Sequence, residues 1–232
     1  MTQPQRPTQV SEYAQACLDA LAASGHGQRL SLGGAFGLAH YFEYRATHDV
    51  DAWWVEPVTG EERRQIVQAL ETALKPFGEV RTRAWGDVVS VELAREKKTV
   101  FSFQIARRSV GLRPPTVGLW PGGIGVDSFD DLLASKMVAL VERGAPRDFR
   151  DIYALCQNNY CSLADCWRVW DNRQQLSGED ADRQRATAAI CAHLARLAQA
   201  RPLAKIADPQ ERASAAQLRN WFNKEFICGF PD

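Results

Sequence analysis

A glycine pair stands where the backbone can approach an anion closely. Residues 30–54 read LSLGGAFGLAHYFEYRATHDVDAWW, so that Gly33 and Gly34 follow a short strand-like run and precede a helix-like one. Glycine keeps side chains out of such a turn, and the N–H groups at the helix start are then accessible to a phosphate. The stretch therefore predicts a phosphate-binding turn.

Two aspartates follow within the same stretch. Asp49 and Asp51 alternate along a predicted strand over residues 48–55. Because side chains at i and i+2 of a strand point to one face, we expect the two carboxylates side by side, with Val50 packed into the core behind them. Magnesium takes oxygen ligands, usually one or two carboxylates together with substrate phosphates. The pair predicts a site that holds Mg²⁺ and orients a triphosphate for in-line transfer.

The elements that must position these residues are predicted from periodicity, caps and turn residues. In the first half, strands are predicted at 29–32, 48–55, 80–85, 88–94 and 99–106, and helices at 11–23, 35–44 and 61–74. Residues 109–125 are dense in Gly and Pro, which predicts a loop and a domain boundary. After Val126, helices are predicted at 128–142, 146–157, 162–174, 179–200 and 209–226.

The fold class that follows from these elements is α+β. We predict a small mixed-sheet domain over residues 1–125 and a helical domain over residues 126–232 that contributes to the active-site cleft. The tryptophans of the helical part, among them Trp167, Trp170 and Trp221, have helical spacing and are predicted to pack in its core.

Composition argues against several other classes of protein. The 232 residues include 28 basic and 28 acidic side chains, so the net charge gives no reason to expect nucleic-acid binding. No apolar run approaches the roughly 18 residues that cross a bilayer. The first residues, MTQPQRPTQ, lack the apolar region of a signal peptide. We expect a cytoplasmic protein with no membrane partner.

The cysteines do not follow a common zinc pattern. Cys156, Cys161 and Cys166 lie at intervals of five residues, and the chain has no CxxC pair. Three more cysteines are scattered along the chain, namely Cys17, Cys191 and Cys228. We interpret all six as reduced thiols, mostly in a helical core.

The order GG-x10-R-x-T-x-D-x-D resembles the first motif of the AbiEii/AbiGii abortive-infection toxin family. That family belongs to the polymerase-β-like nucleotidyltransferase superfamily. The resemblance implies a magnesium-dependent enzyme that binds an NTP and uses Asp49 and Asp51 as catalytic metal ligands. It also implies nucleotide contacts from Gly33, Gly34, Arg45 and Thr47.

A second stretch, FDDLLASKMVALVERGAPRDFRDIYAL at residues 129–155, is similar to a later motif of this family. Lys136 and Arg143 share one face of a predicted helix, and Asp148 and Asp151 share one side of the next. These spacings are also typical of ordinary ion pairs on a helix surface. The resemblance implies that Lys136 contacts the triphosphate, that Arg143 binds the nucleotide, and that Asp148 is a catalytic acid with Asp151 as the alternative.

One residue departs from the pattern of nucleotidyltransferases, which often carry a third carboxylate on a central strand. The predicted strand TVFSFQIA offers Gln104 at that place. Glutamine can orient a group, but it carries no charge for a metal and does not act as a base. Glu92 on the preceding strand is the candidate substitute. Otherwise Asp148 takes the role, the site works with fewer acids, or activity is lost.

The resemblance implies transfer of a nucleotide to a macromolecular acceptor, either tRNA or a protein, by the toxin of a toxin–antitoxin or phage-defence system. A cognate antitoxin is the implied partner. Two alternatives stay open. One is transfer to a small molecule such as an antibiotic, and the other is a catalytically silent module that binds a nucleotide or a partner. Fold alone does not choose among them.

Overall fold

Six strands form one mixed sheet in the first part of the chain. The computed structural model describes residues 3–108 and 110–227. The strand order is β3-β4-β5-β2-β1-β6. The strands are β1 Leu30–Gly33, β2 Val50–Trp54, β3 Glu79–Trp85, β4 Val88–Arg95, β5 Lys98–Ala106 and β6 Gly125–Val126.

The sheet is mixed and contains both antiparallel and parallel neighbours. β3, β4 and β5 form an antiparallel meander, and β1 is antiparallel to β2. β2 runs parallel to β5, and β6 runs parallel to β1. The turn between β4 and β5 places Glu96 and Lys97 at φ 50° and 64°, the left-handed conformation of both central residues in a tight hairpin. The strands predicted at 80–85, 88–94 and 99–106 are thus confirmed.

Three helices accompany the sheet, and they are α1 Glu12–Ala23, α2 Gly34–Ala39 and α3 Gly60–Leu74. The Ser11 hydroxyl caps α1 by accepting the N–H of Ala14. Thr59 and Glu62 form a reciprocal capping box at the start of α3. α1 and α3 pack against each other and against one face of the sheet, where Leu93, Phe101 and Phe103 are buried.

The second part of the chain is helical. Its helices are α4 Phe129–Glu142, α5 Pro146–Gln157, α6 Leu163–Ser177, α7 Arg183–Ala200 and α8 Pro209–Trp221, followed by a π-helical turn, Phe222–Ile227. Trp167 and Trp170 are buried as predicted. The chain divides into two compact units, residues 1–132 and 133–232. The α+β fold class is confirmed, while the domain division at 125 stays a prediction.

Several helix and strand boundaries differ from the prediction, among them that of α7, which begins at Arg183 instead of residue 179. The second helix ends at Ala39 instead of residue 44, and β2 begins at Val50, so Asp49 precedes the strand. The two-residue strand β6, inside the stretch predicted to be a loop, was missed because two residues carry no periodicity. No helix among residues 3–108 and 110–227 combines the length and apolar character that crossing a membrane requires.

The end of α2 is held by a buried histidine. His40 Nδ1 lies 2.9 Å from the carbonyl oxygen of Phe36, and the indole N–H of Trp120 donates to His40 Nε2 at 2.8 Å. The ring is therefore neutral, with its proton on Nδ1. Burial lowers the pKa of His40 to about 4. The helix ends early at Ala39, next to this hydrogen bond between His40 and Trp120. Because Trp120 is distant in the sequence, no local pattern indicated the contact.

Stability should consequently fall in mildly acidic solution. The unfolded chain protonates His40 near its ordinary pKa of about 6.5, whereas the folded chain takes up this proton only near pH 4. Unfolding is favoured by about 2 kcal/mol at roughly pH 5 relative to neutral pH from this residue alone. His40→Gln keeps one donor for Phe36 and one acceptor for Trp120. Urea unfolding should show a weaker pH dependence for this variant, and equal slopes would refute the assignment.

Candidate active site at the glycine turn

The register of the sheet brings polar residues from four strands beside the glycine pair. Gly33 pairs with Asp51, Asp51 with Gln104, Gln104 with Ser90, and Ser90 with Arg83. Directly paired residues point to the same face, so these residues form a continuous polar row. Their neighbours along the strands face the opposite way and are buried, for example Val50, Ala52, Val91, Phe103 and Ile105.

The two glycines let the backbone lie directly against the first members of this row. A Cβ atom at Gly34 would overlap the Asp51 carboxylate, and Gly34 has a φ of +57°. A Cβ atom at Gly33 would overlap the indole nitrogen of Trp53. Both positions therefore require glycine for close approach, and Gly34 also requires it for its left-handed backbone. The structure thus places the glycine turn directly against Asp51.

Asp49 lies just before β2 and is exposed, whereas Asp51 is partly buried. One carboxylate oxygen of Asp49, Oδ1, accepts hydrogen bonds from the backbone N–H and the hydroxyl of Ser102, both at 2.9 Å. Ser102 precedes Gln104 by two residues on β5, so it shares the face of the polar row. Asp49 is thus held by hydrogen bonds from β5 and not by pairing within β2.

Gln104, and not Glu92, is the residue beside Asp51 in the sheet. Glu92 lies on β4 and pairs with Ser102 on β5. Two interstrand spacings, about 10 Å, separate β4 from β2. Glu92 Oε2 lies 3.6 Å from the Arg83 guanidinium. The strand order therefore gives no support to Glu92 as the substitute for a third carboxylate.

Arg45 and Thr47 lie in the loop between α2 and β2. They contribute to the lining of one cavity of about 260 Å³, together with Glu43 and Tyr44. Arg45 Nε donates to the Tyr44 hydroxyl at 2.9 Å, and the Thr47 hydroxyl donates to the carbonyl oxygen of Asp49 at 3.3 Å. The structure brings these two predicted nucleotide contacts to a common cavity, and Thr47 directly supports the backbone of Asp49.

A buried ionic cluster behind the turn was not predicted from the sequence. Arg108 forms ion pairs with the buried acids Asp127 and Asp131, and its guanidinium carbon lies 4.9 Å from the Trp53 ring centroid. The Ser31 hydroxyl donates to Asp127 at 2.6 Å. Burial raises the pKa of Asp127, and the charge of Arg108 opposes this shift. The cluster fixes the Trp53 ring that the glycine turn contacts. Arg108 and Asp127 lie outside both motifs, and no local signal marked them.

The four residues of the second motif form two ion pairs within the helical unit. Lys136 Nζ lies 2.5 Å from Asp151 Oδ2, and both side chains are almost fully buried. Arg143 binds Asp148 through Nε and Nη2 at 2.8 and 2.9 Å, while the N–H of Ala145 donates to the same carboxylate at 3.1 Å. Asp148 thus caps the start of α5.

The Lys136–Asp151 pair differs from the surface pairs that the spacing alone allowed, whereas in the second pair Asp148 is buried and the Arg143 side chain is half-exposed. Asp148 and Asp151 are both completely buried, and burial raises the pKa of Asp151 to about 7. Desolvating such groups is costly, and removing one partner of a buried pair typically destabilises a protein by roughly 3–5 kcal/mol. The roles of Lys136, Arg143 and Asp148 toward a nucleotide remain predictions.

Comparison with known proteins places this arrangement in a family. Residues 16–221 match the family model described as nucleotidyl transferase AbiEii toxin, type IV TA system. No curated protein matches the chain.

Two solved structures from Helicobacter pylori share the fold, each with a TM-score of 0.50. JHP933 is 15% identical over 94% of this chain and 93% of its own. A protein provisionally described as a nucleotidyltransferase is 14% identical over 95% of this chain and 96% of its own. At such low identity the similarity shows only the fold. Because the family model covers most of the sequence, the chain belongs to the AbiEii family of nucleotidyl transferase toxins of type IV toxin–antitoxin systems.

Proposed function

We propose that this protein transfers a nucleotidyl group from an NTP to a macromolecular acceptor, either tRNA or a protein, and that a cognate antitoxin restrains it. The proposal rests on the contact between the glycine turn and Asp51. The Asp51 carboxylate occupies the space that a side chain at Gly34 would fill, so the acid lies directly at the turn. The acceptor oxygen would attack the α-phosphorus, the bond to pyrophosphate would break, and the acceptor proton would pass to solvent. The family description names neither the acceptor nor a metal.

A divalent cation fits the residues at the turn. Asp49 and Asp51 offer two carboxylates within three residues, one of them oriented by Ser102. Magnesium usually takes one or two carboxylates and completes its shell with water and substrate phosphates. When bound, it would neutralise charge on the triphosphate. We assign Asp49 and Asp51 as its ligands, and Arg45 and Thr47 as contacts to the nucleotide from their shared cavity.

The glycine turn would contribute backbone N–H groups to the phosphates. α2 has only six residues, so its dipole adds less than the longer predicted helix would. Gln104 next to Asp51 is a neutral hydrogen-bonding group, so it can orient the acceptor or a water but cannot accept the acceptor proton as a base. This residue is also the specific reason to retain a catalytically silent, nucleotide-binding module as the second candidate.

The acceptor can be identified with triphosphates labelled at the α-phosphate. The protein is incubated with each labelled NTP, Mg²⁺ and either total cellular RNA, total protein or a panel of aminoglycosides. We expect label in the RNA or protein pool, and none with γ-labelled NTP. Label in the aminoglycosides would support the small-molecule alternative. Nucleotide binding without labelling of any pool would support the silent module and contradict the proposed transfer.

Neutralising either metal-binding acid should abolish most of the transfer. Asp49→Asn and Asp51→Asn keep the side-chain shape but remove one charge each, which should cost several kcal/mol of transition-state stabilisation, or roughly a 100-fold loss or more. EDTA should reproduce the loss in the wild type. Glu92→Gln on the distant strand is the matched control. Wild-type activity in Asp51→Asn would refute the assignment.

Gly34→Ala should damage activity more than its backbone strain explains. The added methyl group overlaps the Asp51 carboxylate, and a left-handed alanine costs about 1–2 kcal/mol. Gly86 in the β3–β4 turn has a φ of +53°, and a Cβ atom there would have no atom within 4 Å, so Gly86→Ala controls for strain alone. Thermal unfolding and transfer are measured for both variants. Equal activity in the two variants would contradict the proposed role of this turn.

We further propose that Lys136 supplies positive charge to triphosphate binding. Lys136→Met alone would leave Asp151 buried without its partner, so the informative variant is Lys136→Met with Asp151→Leu, which removes both charges. It should fold and bind the NTP at least about tenfold more weakly, a loss of about 1.4 kcal/mol. Arg183→Met with Asp171→Asn, at an exposed pair in the same unit, is the control. Unchanged NTP affinity by titration calorimetry would rule out this role.

A further inference from the structure

Three cysteine thiols converge in the helical unit. Cys156 lies near the end of α5, Cys161 lies in the connection that follows, and Cys166 lies in the first turn of α6. Each of the three sulfur pairs is 3.8 Å apart, so the sulfurs form an equilateral triangle. All three cysteines are free thiols. The fold thus brings together three of the cysteines that the sequence analysis interpreted as reduced thiols, although their spacing fits no common zinc motif.

The dimensions of this triangle match one face of a tetrahedral zinc–thiolate site. A Zn–S bond of about 2.3 Å in tetrahedral geometry places the sulfur atoms about 3.8 Å from one another. A disulfide would require an S–S distance of about 2.0 Å, which none of the pairs approaches. Within residues 3–108 and 110–227, this is the only group of three or more His, Cys, Asp or Glu side chains whose ligand atoms converge.

The backbone around the triangle is held in place without a metal. Asn159 has a left-handed φ of 59° and reverses the chain, while the N–H of Tyr160 donates to the carbonyl oxygen of Leu155 at 3.0 Å. Ser162 and Asp165 form a reciprocal capping box at the start of α6. These contacts determine where Cys161 and Cys166 lie, so the sulfur positions are preorganised.

A cavity of about 390 Å³ borders the cluster and provides space for a fourth ligand. Cys156, Cys161, Tyr160, Asp165 and Trp221 contribute to its lining. The Asp165 carboxylate already accepts the N–H and hydroxyl hydrogen bonds of Ser162 at 3.1 and 2.7 Å. A water molecule or a small exogenous donor in this cavity is therefore the expected fourth ligand.

We propose that Cys156, Cys161 and Cys166 bind one Zn²⁺ ion through three thiolates, with the fourth coordination position facing this cavity. Each sulfur that is still protonated gives its proton to solvent as its bond to zinc forms. The bound ion would join the end of α5 to the start of α6, independently of the nucleotide site.

Metal content and spectroscopy test this proposal. The full chain is purified under reducing conditions, supplied with Zn²⁺, and desalted before its zinc is measured. We expect one zinc per chain and X-ray absorption that reports sulfur neighbours at about 2.3 Å. With Co²⁺ in place of zinc, we expect thiolate charge-transfer bands and the intense visible absorption of a tetrahedral site. Absence of stoichiometric zinc, or a weak octahedral cobalt spectrum, would overturn the proposal.

Variants separate this site from the other thiols. Cys161→Ser and Cys166→Ser should each lower zinc affinity by roughly 100-fold or more, since even changes in the groups that only orient a metal ligand cost about 10–100-fold. Cys191→Ser removes an exposed thiol of the same unit and should bind zinc as the wild type does. Zinc should raise the Tm of the wild type and of Cys191→Ser but not of Cys161→Ser. Wild-type zinc affinity in Cys161→Ser would contradict the assignment, whether or not that variant is less stable.

Discussion

The candidate active site depends on a close backbone approach that only glycine allows at two consecutive positions. Gly33 and Gly34 let the backbone pass so close to Trp53 and Asp51 that any larger residue would overlap them. The same contact positions the turn, the acid and the start of β2 relative to one another. In the function that we propose, a phosphate at this turn would meet the backbone N–H groups and the metal-binding carboxylate together. The glycine pair is therefore a requirement of packing, and the phosphate-binding role that we propose for the turn depends on the same two residues.

Buried charge supports this contact from behind. Arg108 forms ion pairs with both Asp127 and Asp131 in a region where unpaired carboxylates would be strongly disfavoured, and it also covers the Trp53 ring. Asp131 accepts the backbone N–H groups of Leu112 and Arg113, so the cluster also orders part of the Gly- and Pro-rich stretch. The cluster thereby joins Ser31 on β1 and Trp53 on β2 to the later segment that carries Arg108 and Asp127.

In the helical unit, α5 has a comparable central position. Its first turns bind α4 through the Arg143–Asp148 and Lys136–Asp151 pairs. Its last turn carries Cys156, which contacts the thiols of Cys161 and Cys166, and Phe149 packs edge-on against Phe222 with ring centroids 4.9 Å apart. The second motif thus lies on a helix whose buried side chains include Asp148, Phe149 and Asp151. Loss of a motif residue would disturb both the helix packing and any contact to a nucleotide.

The sequence by itself determined the local elements and the order of the chemical groups. Caps, turns and periodicity predicted the long helices and the β3–β5 meander, and the GG and DxD spacing indicated the site. Only the tertiary structure decided that Gln104 lies beside Asp51, that Ser102 holds Asp49, and that Glu92 is two strands away. It also decided the partners of Arg108 and the meeting of three thiols. Periodicity specifies which face a side chain occupies, but pairing between distant strands and helices depends on long-range packing that no local spacing encodes.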